Sequence, residues 1–428
     1  MRGDGTRLIA TEDGHRVTPA ELFFDLVFVY AITQVTALMA ADPSGPRLLG
    51  AMVVLALLWW CWCCFSWLGN VVRADSGGLF SVLVAVMAAV FVVSLTVPEV
   101  YADRHGGLHA PLVFVLCYGT VRVLHLISYW IAGRGDAALI RTLRRTLVVS
   151  VLPPFALLLV GSALTGAAQV LVWFAAVLID YAGIFLTGKS GWRIVSPVHF
   201  AERYALIVII ALGESIVAIG VGMADLPFSG PDLVAAVAGL LVSTSLWWVY
   251  FRHVTEAAEH ALAAREGDER TRFARDAFTF LHLPLVAGIV LMALGLKQSL
   301  HQIADSHYPL SEPLHGLTAW ALTGGVGLYL LAAAAILLRS TGRLPAVLAV
   351  GGLCSLAAGV LVALVPALLA LVLLAVAVGA LAVGYGRSAR ASGAAHAPAG
   401  AEPVEPVGPV DSVDPVGPVR RPTDPSGS

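Results

Sequence analysis

The stretch ELFFDLVFVYAITQVTALMAA, residues 21–41, decides the fold. It begins with two carboxylates one helical turn apart, Glu21 and Asp25, then runs without a charge to Ala41. About twenty mainly apolar residues cross a hydrocarbon core of roughly 30 Å as a helix, and a half-buried strand would alternate instead. An ionised side chain at the centre of a lipid-facing helix costs on the order of 2.5–3.5 kcal/mol, so Asp25 must face protein or water.

The same pattern recurs along the chain. Its 428 residues are 58% hydrophobic and 13% charged, with a mean hydropathy of +0.84, too little charge to cover a soluble domain of this length. Apolar runs near 20–41, 47–68, 79–97, 111–132, 146–164 and 168–187 predict six spans. Runs near 203–223, 232–252, 277–297, 315–338, 344–363 and 366–386 predict six more. The expected fold is therefore an all-α membrane protein of about twelve transmembrane helices. The first twenty residues lack the apolar core of a signal peptide, so the first span is expected to stay as an anchor.

Arginine and lysine concentrate on one side: the N-terminus, Arg73, the Arg134–Arg145 loop, Lys189 with Arg193, Arg252–Arg275, Arg339 and Arg343. The other side offers Arg47, Arg104 and Lys297. The positive-inside rule then places both termini in the cytoplasm, as an even number of spans requires. Residues 1–19 form a polar N-terminal segment, and 253–276 a charged, Ala-rich cytoplasmic linker expected to be helical. Residues 387–428, with the run EPVEPVGPVDSVDPVGPV, read as a disordered Pro/Val-rich cytoplasmic tail. The cysteines Cys61, Cys63, Cys64, Cys117 and Cys354 all lie in apolar segments, which speaks against a disulfide framework.

The chain also repeats itself. Asp42-Pro43-Ser44-Gly45-Pro46 follows span one, and Asp225-Leu226-Pro227-Phe228-Ser229-Gly230-Pro231 follows span seven. Each precedes a helix with a tryptophan pair, Trp59-Trp60 and Trp247-Trp248, and each follows a helix that opens on a glutamate, Glu21 and Glu202. Two six-helix repeats of the same orientation, 20–187 and 188–386, are expected, with a path at their interface.

On a helical wheel Glu21, Asp25, Thr33 and Thr36 share a sector of about 120°. In HFAERYALIVIIALGESIVAIG, residues 199–220, Glu202 and Arg203 mark one end and Glu214 lies about 18 Å deeper. Gly213 and Gly220 share a face with Glu202, which predicts close approach of a neighbouring helix. Arg122, His125, Asp180 and His282 supply further polar groups within spans. The expected proton or cation path is Asp25, Glu214, Asp180, Thr33 and Thr36. Arg122, His125 and His282 are its charge partners, with Arg122 exchanging between acids. Glu21, Glu202 and Arg203 form a cytoplasmic entrance. A purely structural clamp around Arg122, and caps or snorkelling groups near the interface, stand beside that reading. What favours function is the excess of buried acid over base.

Three weaker signals carry little. Cys61 and Cys64 share a helix face, but no other ligand completes a metal set. The loop clusters Glu99, Asp103, His105 and His109, and His301, Asp305, His307, Glu312 and His315, read as solvated loops. The tryptophans of 59–67 and 247–248 suit an interfacial belt. No phosphate-binding glycine loop, nucleophile elbow or HExxH site is present. The expectation is a non-enzymatic protein without metal, cofactor or nucleic-acid partner.

ELFFDLVFVYAITQVT and HFAERYALIVIIALGESIVAIG, with LIDYAG (178–183) and FLHLPLVAGIVLMALG (280–295), resemble the bacterial low-temperature-requirement A family from about residue 19 to 385. The resemblance implies a polytopic inner-membrane protein named for growth in the cold. By its pattern Glu21, Phe24, Asp25, Glu202, Arg203, Gly213 and Glu214 are the positions to carry over. Phe24-Asp25 with Ala31-Ile32-Thr33 is also faintly similar to the first-helix motif of lysosomal-type potassium channels, without that motif's serine. The leading expectation is a proton- or cation-linked secondary transporter. The alternatives are an ion channel, a membrane sensor or scaffold, and a lipid-active enzyme.

Overall fold

A computed structural model describes residues 11, 14–75, 77–103, 106–187, 192–224 and 226–394. The readings on Arg104, His105, Lys189, Asp225 and nearly all of the Pro/Val tail lie outside these residues. Among the described residues the regular structure is helical, with eleven helices long and apolar enough to cross a membrane and one shorter apolar helix. We label them α1 (Pro19–Ala41), α2 (Gly45–Gly69), α3 (Gly78–Glu99), α4 (Ala110–Ala132), α5 (Ala137–Ser162) and α6 (Gly166–Leu186). There follow α7 (Pro197–Gly222), α8 (Gly230–Ala263), α9 (Gly267–Ala304), α10 (Gly316–Thr341), α11 (Ala346–Val362) and α12 (Ala367–Arg387). Each of the twelve predicted runs coincides with one helix.

Local chemistry fixes the helix starts. Thr18 and Glu21 form a reciprocal capping box at α1, with Pro19 in the first turn, where a missing N–H costs nothing. Ser44 and Ser229 precede the Gly-Pro openings of α2 and α8, so the two matching sequence motifs have the same structural role. Three wider, i→i+5 turns interrupt the long helices: Leu147–Val151 in α5, Tyr250–Val254 in α8 and Ala274–Phe280 in α9. The first directly precedes Pro153-Pro154, whose rings supply no N–H to continue an α-turn.

The charged linker is not a separate element. Its two halves prolong α8 and α9 and meet at Gly267, whose φ of +51° suits glycine. The extension is held to the body: Arg339 of α10 bonds Asp276 and lies over Phe273, and Thr271 donates to the Trp192 carbonyl.

α1 is central, packing on α2, α3, α7 and α9. In the first half α1 meets α2 and α3, α2 meets α4, and α4 meets α3 and α5. In the second, α7 meets α8 and α9, α8 meets α10, and α10 meets α9 and α11. The close approach expected at Gly213 and Gly220 is absent: a Cβ at either would meet open space. It occurs instead between α9 and α10, where a Cβ on Gly288 would lie 2.7 Å from the Gly325 carbonyl and one on Gly295 would strike the Leu322 backbone. The tryptophans Trp59, Trp60 and Trp62 likewise form no interfacial belt. They are buried against other helices, while Trp247 and Trp248 face outwards.

Candidate functional site

The deep polar residues fall into three groups. The largest lies between α1, α2 and α7. Glu21 accepts from His199 Nε2 at 3.0 Å and lies 3.3 Å from Arg203 Nη1, while Arg203 Nη2 donates to Asp25 Oδ1 at 2.8 Å. Trp62 Nε1 donates to the same Asp25 oxygen at 2.9 Å. Asp25 Oδ2 and Arg203 Nε are buried and have no hydrogen-bond partner among the described residues. The Arg203 guanidinium also lies 5.8 Å from the Phe24 ring and 5.7 Å from that of Trp62. An (i, i+4) acid pair on one helix thus meets an (i, i+4) basic pair on another.

Asn70 decides the state of His199. Its Oδ1 accepts from the backbone N–H groups of Val195 and Ser196, so its Nδ2 must point the other way. That nitrogen donates to Ser196 O at 2.7 Å and faces His199 Nδ1 at 3.3 Å. His199 Nδ1 is then an acceptor and Nε2 carries the proton that reaches Glu21, which makes the ring neutral. With two carboxylates and one guanidinium, the group carries one uncompensated negative charge when both acids are ionised.

The second group joins α2, α4, α5 and α6. Arg122 donates to Asp180 Oδ1 at 3.0 Å, to Cys64 Sγ at 3.0 Å and to Ser150 O at 3.3 Å. Tyr118 donates to the other Asp180 oxygen at 3.0 Å. The third group is Thr33 of α1 with Glu214 of α7, their oxygens 2.6 Å apart. Thr36, one turn on, also faces Glu214.

Several sequence expectations need correcting. Asp25, Asp180, Glu214 and Arg122 are all withdrawn from lipid, but they do not line one file. Arg122 is paired with Asp180 and with neither Asp25 nor Glu214; Arg203 is the partner of Asp25. Glu21 and Arg203 are 2% and 1% exposed, so they form a sealed cluster rather than an open entrance. Glu202 alone sits at the rim, accepting from Val17 N and 3.8 Å from Arg16. His282 pairs with no acid among the described residues: its Nδ1 donates to Ala277 O, and its Nε2 takes the Tyr250 hydroxyl at 2.8 Å. His125 packs edge-on to Phe65 and Tyr129, with Nε2 unpartnered among the described residues.

Sequence reasoning missed His199, Trp62, Asn70 and Tyr118. The first was legible, since His199 and Arg203 have the same spacing as Glu21 and Asp25. The others depend on which helices become neighbours.

The contacts between α1 and α7 also carry a direction. Glu21 meets His199, Asp25 meets Arg203 and Thr33 meets Glu214, so both helices advance the same way and lie parallel.

Comparison with known proteins gives two findings. Residues 16–383 match the family described as bacterial low temperature requirement A protein (LtrA). An uncharacterised protein of Rhizobium meliloti (strain 1021) is 29% identical over 306 residues, which is 68% of this chain and 72% of that protein.

Proposed function

The chain belongs to the bacterial low temperature requirement A family, and on that premise we propose that it is a proton- or cation-linked secondary transporter of the inner membrane. Its halves are two six-helix repeats of one orientation with both termini in the cytoplasm, and the lipid bilayer is its standing partner. It performs no covalent chemistry. The parallel α1–α7 pair and the matching helix neighbours in the two halves support that organisation. On this reading α1 and α7 lie at the interface between the repeats, where transport sites are expected.

Glu214 carries the reading. Arg203 serves Glu21 and Asp25, and Arg122 serves Asp180, whereas Glu214 has no basic group within ion-pair distance among the described residues. Lys297 acts on it only from further away. Thr33 has one hydroxyl proton and two acceptors within reach, Val29 O at 3.2 Å and Glu214 Oε2 at 2.6 Å. If Glu214 is ionised, the hydroxyl must turn to it and release Val29. If Glu214 is protonated, the acid donates to Thr33 and Thr33 donates to Val29, so every group is satisfied. A monovalent cation beside the ionised acid would satisfy the same count. Gain and loss of that charge is therefore tied to one hydroxyl rotation at the repeat interface. Asp25 Oδ2, two turns away on α1, is the second position open to a proton.

The test is flux in proteoliposomes of purified protein, read by internal pH and potassium dyes under imposed gradients. Glu214→Gln keeps the size and a donor for Thr33 but cannot exchange a proton, so flux is abolished while thermal stability stays close to wild type. Wild-type flux from Glu214→Gln would overturn the proposal.

A further inference from the structure

A chamber away from Glu214 lies between α2, α4, α5, α6 and the start of α9. Its cavity volume is about 90 Å³, and it opens at one side. That is room for several water molecules, each needing about 10–15 Å³ on this measure. Its walls are Trp60, Trp67 and Trp192, and three guanidinium groups border it, Arg122, Arg272 and Arg275. No carboxylate is among its lining residues.

Four polar atoms on these walls are buried and without a hydrogen-bond partner among the described residues: Trp60 Nε1, His125 Nε2, Thr146 Oγ1 and Ser150 Oγ. Buried polar atoms are rarely left so in a finished core, because each forfeits the hydrogen bond that it would make to water. Arg122 and Arg275 are partly neutralised, by Asp180 and Asp276 respectively. Arg272, at the mouth, is exposed and has no ion-pair partner among the described residues. The wide turn Leu147–Val151 brings Ser150 to the wall, and the one at Ala274–Phe280 places Arg275 and Thr279 there.

We propose that this chamber binds an amphiphilic organic anion, with its oxyanion head between Arg272, Arg275 and the orphaned hydroxyls and its apolar body against the tryptophans. Guanidinium groups favour carboxylate and phosphate, and flat indole walls favour an apolar chain or ring. A soluble fatty or aromatic acid and the head of an anionic phospholipid share this chemistry. The site does not depend on Glu214 or on transport.

The experiment titrates octanoate and octyl phosphate into the full-length protein in neutral detergent, following quenching of tryptophan fluorescence, with octanol as the uncharged control. Both anions bind at least tenfold more tightly than octanol, and Arg272→Gln removes about tenfold of that affinity. Arg272 is exposed, so this variant keeps the fold; Thr146→Val, which deletes one orphaned hydroxyl, weakens the anions and spares octanol. Repeating the titration in phosphatidylcholine nanodiscs with and without phosphatidylglycerol separates the sources. Octanoate binding blocked by phosphatidylglycerol identifies the lipid, and unchanged binding identifies a soluble anion. Equal affinity for octanol and octanoate, or no effect of Arg272→Gln, overturns the proposal.

Discussion

Replacing Arg203 with glutamine removes the cation shared by two carboxylates that are 2% and 0% exposed. In the intact group the charges are Glu21⁻, Asp25⁻ and Arg203⁺, with His199 neutral. Arg203→Gln leaves two like charges about one helical turn apart, held by His199 and Thr18 on Glu21 and by Trp62 on Asp25. Breaking a buried ion pair from one side costs about 3–5 kcal/mol, because the remaining charge stays uncompensated. Asp25→Asn is milder: Arg203 keeps Glu21 at 3.3 Å, and the amide oxygen still accepts from Trp62. The double variant Arg203→Gln/Asp25→Asn returns the net charge to −1, so it should recover about 1–3 kcal/mol relative to Arg203→Gln. Thermal unfolding of the purified protein in neutral detergent reads this order directly: wild type, then Asp25→Asn, then the double variant, then Arg203→Gln. Arg203→Gln no more costly than Asp25→Asn, or a double variant no better than Arg203→Gln, would refute the charge count and the neutral assignment of His199.

Asn70→Ala removes the amide that fixes His199 and two loop N–H groups, and should lower stability by about 1–3 kcal/mol in the same assay. Gly295→Ala forces a Cβ into the Leu322 backbone and should cost about 1–3 kcal/mol, whereas Gly213→Ala points into open space and gains up to about 1 kcal/mol in helix propensity. Outside the membrane, Asp136 caps α5; hydrogen bonds from the Leu139 and Ala138 N–H groups, with Arg193 nearby, hold its carboxyl below the usual range. A lowered folded-state pKa stabilises above the unfolded value and is lost as pH falls through the folded one. Hydrogen-exchange protection at the start of α5, taken relative to the intrinsic amide rate at each pH, should therefore fall on acidification, and Asp136→Asn, which keeps a capping oxygen, should flatten that dependence.

The twelve helices were legible because hydropathy is local. An uninterrupted apolar run of span length has few stable forms in lipid, and hydrogen-bonding the backbone within the segment selects the helix. The withdrawal of Asp25, Asp180 and Glu214 from lipid was legible for the same reason, since the cost of exposing each does not depend on its partner. Partnership itself was not legible. Arg203 lies near the start of its span and Arg122 in the middle of its own, and only the tertiary structure pairs Arg203 with Asp25 and Arg122 with Asp180. A helical wheel gives the face on which Gly213 lies but not whether a neighbour occupies that face; none does.

The sequence by itself determined a helical membrane protein with more buried acid than one arginine could neutralise. Only the tertiary structure decided which acid is left over. Arg203 is shared by Asp25 and Glu21, Arg122 stands beside Asp180, and Glu214 is the acid left with no arginine at all, its nearest partner a hydroxyl. The physical reason is range. Hydropathy and capping act within a few residues of chain, while an ion pair acts across a few ångströms of space between residues 178 or 58 positions apart.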